Sequence, residues 1–166
     1  MHTIDEVKQN VTGLVGRVVG ANGRRSSVQS VTIAAPRARV EQCWRDPVRM
    51  SRVLGDLGDV RAVADRVDWT FGRGDEAVVW RTTYVTEPDG MGYRGQLAGA
   101  DAELRVRFAP APGHLGTEVT VWTRSALPGP LTGAAVYKLL YRMRALLQTG
   151  ELPTLVHNPS ARSGAR

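Results

Sequence analysis

The segment that most constrains this chain's fold is Leu131–Gln148, LTGAAVYKLLYRMRALLQ. Val136, Leu139, Leu140, Met143, Leu146 and Leu147 recur at steps of three and four, which gathers them on one helical face. Lys138, Arg142 and Arg144 are expected on the opposite side. The LPGP run Leu127–Pro130 cannot continue a strand and sets where the helix begins, while Gly150 and Pro153 stop it. From Ser27 to Leu127 the patterns are those of strands and short helices only. Strands with one apolar face need a cover, and this helix is the element long enough to supply it.

Taken in order, Ile4, Val7, Val11, Leu14, Val15 and Val18 have helical spacing, although Gly13 and Gly16 weaken that pattern. Ser27–Ile33 alternates as a strand, and Pro36 then opens a short helix over Arg37–Trp44. Asp46, a good N-cap, opens a second short helix through Leu54. Six strands follow, at Val60–Ala64, Val67–Phe71, Ala77–Thr86, Tyr93–Leu97, Ala102–Ala109 and Thr117–Ser125. Gly72-Arg73-Gly74-Asp75 and Pro88-Asp89-Gly90 supply turns between them, and the first places Trp69 opposite Trp80. Turn-linked neighbours pair antiparallel. The expectation is an α+β fold: a curved seven-stranded antiparallel sheet wrapped around a long C-terminal helix, with two short helices between strands one and two. Residues 1–26 form an N-terminal amphipathic segment, 27–153 the domain, and 154–166 a polar, disordered tail.

Composition narrows the function classes. A chain of 166 residues buries enough surface to need no disulfide or metal. Its one cysteine, Cys43, suits a reducing cytoplasm, and no apolar run approaches a membrane span. The net charge of +6 raises nucleic acid as a partner. Nearly all of that charge is arginine, though, and no aromatic-plus-basic motif accompanies it, so a solvated surface is the better reading. The three histidines and Cys43 lack metal-ligand spacing, and His114 belongs to an exposed turn. No Ser-His-Asp arrangement or phosphate-cradling glycine loop is present, and no cofactor is implied.

Three stretches carry a resemblance to a known family: VTIAAPRARVEQCWRDP (Val31–Pro47), VRFAPAPGHLGTEVTV (Val106–Val121) and LLQTGELPT (Leu146–Thr154). In order and spacing they resemble the START-like, or SRPBCC, superfamily, in its bacterial polyketide cyclase/dehydrase-type branch. The resemblance covers roughly Ser27–Thr154 and implies a helix-grip fold that encloses an apolar cavity, closed at one end by the two short helices. It implies either a ligand carrier or an aromatase/cyclase, because the fold hosts both.

Strand parity then assigns the cavity. Val106, Phe108, Val121 and Thr123 face inward, together with Trp69, Trp80, Thr82 and Tyr84, and with Val31, Ile33, Val78, Leu104 and Val119. Leu140 and Met143 come from the helix; Trp44, Met50, Val53 and Leu54 form the lid. The hydroxyls of Thr82, Tyr84 and Thr123 and the indoles of Trp69 and Trp80 are polar groups that either orient a ligand or find backbone partners. For catalysis the resemblance asks for an inward arginine; Arg81, Arg105, Arg107 and Arg124 fall outward, and only Arg94, in the least regular strand, has no assignable direction, so an open pocket that held it beside Tyr84 would favour catalysis. The leading expectation is binding of a small, largely apolar molecule. The alternatives are a cyclase or dehydrase using Tyr84 and Arg94, and an interaction module that dimerises through the N-terminal segment.

Overall fold

The computed structural model describes residues 18–19, 25–126 and 129–153. The helical pattern over Ile4–Val15, the first half of the LPGP run and the tail from Thr154 lie outside the described residues. Val18, expected on that helical face, is instead in strand β1 (Val18–Val19), which pairs with Ser26 and Arg25. Next come β2 (Arg25–Ile33), α1 (Arg37–Arg45) and α2 (Pro47–Leu54). The strands β3 (Gly58–Val63), β4 (Arg66–Phe71), β5 (Val78–Glu87) and β6 (Gly90–Leu97) follow. The described chain ends with β7 (Ala100–Pro110), β8 (Thr117–Ser125) and the long helix α3 (Gly133–Thr149).

The seven strands anticipated from the alternation form one antiparallel sheet, to which β1 adds two residues at an edge, in the order β1-β2-β8-β7-β6-β5-β4-β3. The first strand of the seven therefore pairs with the last, Val31 lying against Val119. The strand that follows β2 in the chain, β3, is at the far edge. The α1–α2 arm is the connection that must cross from one side of the sheet to the other. Trp69 does lie opposite Trp80.

The helix ends are set by identifiable capping residues. The Asp46 carboxylate accepts from the Val48 and Arg49 amides at 3.0 and 3.2 Å, which caps α2. The Thr132 hydroxyl accepts from the Ala135 amide, so α3 begins two residues later than the proline run alone suggests. Gly150, left-handed at φ 76°, ends α3 as the Gly stop predicts. Val136, Leu139, Leu140, Met143, Leu146 and Leu147 are all buried against the sheet's inner face.

Arg142 corrects the helical-face assignment. Only 8% exposed, it turns inward. Its guanidinium donates to the carbonyls of Val53 and Leu54 and to the Asp56 carboxylate. These carbonyls end α2 and have no partner within that helix, so a long cation from α3 can satisfy them. Gly55 is left-handed at φ 55°, and a Cβ there would stand 3.1 Å from the Arg142 guanidinium. Val78 keeps the inward parity, opposite the buried Phe71, but is 36% exposed at the start of β5.

Candidate functional site

Between the sheet and α3 the centre is filled by side chains. Val106, Phe108, Val121, Leu140 and Met143 are buried there, and Met50 and Val53 pack on them from α2. Thr82 and Thr123 face inward, but their hydroxyls are engaged: Thr82 donates to the Val67 carbonyl at 2.7 Å and Thr123 to the Leu131 carbonyl at 2.8 Å. Both therefore hold the scaffold together rather than presenting free polar groups.

An aromatic cluster divides what space remains. Trp69 stands 5.9 Å from Trp80 and meets Tyr93 edge-to-face at 5.1 Å; Tyr93 in turn meets Tyr84 at 5.6 Å. On the α3 side of Trp69 is a cavity of about 60 Å³, bounded by Leu54, Leu57, Phe71, Leu104, Val136 and Leu139. On the Tyr93 side is a cleft of about 260 Å³ beneath the α1–α2 turn. Trp44, Arg45 and Pro47 form its roof, and Val60, Val67, Tyr84 and Tyr93 its floor. Ligand clefts commonly enclose roughly 300–1,000 Å³. The inner cavity is far below that range, whereas the cleft approaches its lower end. A larger surface groove of about 650 Å³ beside α2 and β3 includes Arg52, Asp59 and Arg61, which are exposed.

The polar groups around these spaces are few. The Tyr93 hydroxyl donates to the Trp44 carbonyl at 3.1 Å and ties β6 to the end of α1. Burial pushes its phenol well above the usual range, and it stays neutral. Among the described residues the Tyr84 hydroxyl has the Met91 thioether as its partner, at 3.7 Å. The indole N–H groups of Trp44, Trp69 and Trp80 are buried and have no acceptor among the described residues. Trp44 borders the cleft and Trp69 the inner cavity.

Among the described residues neither the cleft nor the core holds an acid–base pair. Arg94 is on the sheet's outer face, 3.1 Å from Glu103, and not beside Tyr84 in the interior. Arg142 is the one buried charged side chain among the described residues. Cys43 is fully buried; loss of hydration pushes its thiol up to about 11, a small hydrophobe rather than a nucleophile. Among the described residues no three His, Cys, Asp or Glu side chains gather to hold a metal. None of the described helices is long and apolar enough to cross a membrane.

Of the residues expected to line the cavity, Trp69, Tyr84, Leu104, Trp44 and Leu54 border an open space. Tyr93, Arg45, Val60 and Val67 join them without having been singled out. Tyr93 escaped because Gly92 and Gly95 interrupt the alternation of β6. Opposite Thr82 a glycine is required: a Cβ on Gly95 would come 1.9 Å from the Arg81 carbonyl oxygen. Arg45 carries no one-dimensional signal, being one of several arginines on α1.

No family model and no curated protein matches this chain. Solved structures do. A START superfamily protein from Mycobacterium smegmatis superposes with a TM-score of 0.63 at 14% identity, covering 76% of this chain and 99% of that one. A Deinococcus radiodurans protein gives 0.60 at 22% identity, with coverage of 76% and 99%. CalU16 from Micromonospora echinospora gives 0.55 at 17%, covering 83% and 84%. The chain has the START-like helix-grip fold.

Proposed function

We propose that this protein binds a small, largely apolar molecule bearing a hydrogen-bond acceptor, in the cleft beneath the α1–α2 turn. The observation that carries this reading is the set of buried indole N–H groups without acceptors, one of them on a residue of the cleft wall. Leaving such a donor unpaired in an apolar interior costs roughly 1–3 kcal/mol. The Trp44 Nε1 is covered rather than open to the cleft, so a ligand carbonyl or ether oxygen offsets that cost by displacing what covers it, while aromatic and aliphatic walls take up the rest of the molecule. The START-like fold supports the reading at the level of architecture only. A reducing cytoplasm is the compartment we infer from the single buried thiol.

Titration with 2-acetylnaphthalene, a neutral aryl ketone, tests it. Tryptophan emission should change saturably, and Trp44→Phe, which keeps a flat ring without the donor, should weaken binding by roughly 2–10-fold. An emission that never saturates would remove the cleft as a ligand site. The cyclase or dehydrase reading has less in its favour. Arg94 faces solvent, and among the described residues no histidine or carboxylate is buried that could trade a proton with substrate.

A further inference from the structure

The charge at the rim of the cleft narrows the ligand class, on the premise that the cleft is the binding site. Arg45 lines it, with its guanidinium carbon 5.8 Å from the Tyr84 ring centroid and its side chain half exposed. Its partner is Glu41, at 3.3 Å. The same Glu41 carboxylate is engaged by Arg37 at 3.7 Å. Two guanidinium charges share one carboxylate, which leaves a net positive charge at the rim. The neighbouring acid, Asp46, is committed elsewhere, capping α2 and pairing with Arg49 at 3.4 Å. A guanidinium presents five N–H donors in a planar fork, and Arg45 uses one of them on Glu41. Below this cation the walls include the rings of Trp44, Tyr84 and Tyr93, around a space of about 260 Å³.

From this juxtaposition we infer that the cleft takes a planar aromatic carboxylate. Its ring lies among Tyr84, Tyr93 and Trp44, and its carboxylate pairs with Arg45 at the mouth. Stacking on aromatic faces suits a flat ring, and the guanidinium fork suits a carboxylate.

The test compares 2-naphthoate with 2-acetylnaphthalene, which share the ring system and differ in charge, by calorimetry at low salt. For the wild-type protein the naphthoate should bind about tenfold tighter than the ketone, and added salt should narrow the gap. Arg45→Gln should bring the ratio to about one, and Arg45→Lys should keep part of it, retaining the charge but not the fork. Glu41→Gln should widen the preference, because it frees the Arg45 guanidinium. A merely structural role for Arg45 would not produce that gain. If the ketone binds saturably but the naphthoate binds no better, or if Arg45→Gln keeps the preference, the aromatic-acid assignment is overturned while the apolar cleft stands. If neither compound binds, both are overturned.

Discussion

Residue by residue, the interior separates polar groups that are satisfied by the fold from those that are not. Thr82, Thr123 and Tyr93 each donate to a named backbone carbonyl, whereas three indoles have no acceptor among the described residues. Tyr93→Phe would strand the Trp44 carbonyl and should cost about 1–3 kcal/mol in denaturant unfolding, with a visible change in tryptophan emission. Cys43 makes a sharper check. With its thiol at about 11, the thiolate fraction at pH 8 is on the order of a hundredfold below that of an ordinary cysteine. Maleimide should therefore label the folded protein very slowly and the urea-unfolded protein at once; rapid labelling without denaturant would contradict the burial described for α1. Inward parity was readable at Trp80, Thr82 and Thr123, because strand periodicity fixes direction. Whether a hydroxyl is already used was not readable, since the Leu131 and Val67 carbonyls that use them belong to other segments of the chain.

Among the elements, α3 and its buried stripe followed from spacing alone, and the misplacement of Arg142 has a physical cause. Helical periodicity sorts residues by hydrophobicity and assumes that charge faces water. Arg142 escapes that rule because the end of α2 offers backbone carbonyls and an acid, Asp56, within its reach. The contact latches the arm to the helix it covers. Arg142→Met should destabilise the protein by roughly 2–4 kcal/mol, since two carbonyls lose a buried donor while the Asp56 carboxylate keeps only Lys138, at 3.4 Å. The Asp56 carboxyl is held below its usual range, chiefly by the hydrogen bond from Arg142. Its contribution is therefore fully present above the ordinary carboxylate range and is lost as pH falls through the lowered folded value. Asp56 is 61% exposed, so solvent screening keeps this contribution small. Melting curves between pH 6 and pH 2.5 should show Asp56→Asn losing part of the acid sensitivity of the wild type; an identical slope in both would deny the latch its carboxylate. On the outer face of the sheet, Arg94 and Arg124 share Glu103, while Arg105 and Arg107 pair with Glu87 and Asp89. This placement explains why so arginine-rich a chain needs no polyanion to account for those four side chains. Each such exposed pair is worth about 0–1 kcal/mol.

For the molecule as a whole, the antiparallel order and the covering helix were legible because each strand announces its neighbour through a short turn. The pairing of β2 with β8 was not legible, as no local signal joins Val31 to Val119. The shape of the cavity was not legible at all. It depends on how far a few large rings fill the hollow between sheet and helix, and here Trp69 and Tyr93 meet and leave two small spaces in place of one large one. The central claim is that a buried indole donor beside the cleft waits for a ligand acceptor. The chain has four tryptophans, and Trp122 lies on the opposite strand parity from the buried residues of β8, which makes it an internal control. The most direct measurement is the set of indole N–H resonances in a proton–nitrogen correlation spectrum during titration with 2-acetylnaphthalene. The account predicts a saturable downfield shift of the Trp44 indole with Trp122 unmoved; a Trp44 resonance that stays in place while the ketone is added to its solubility limit would contradict it.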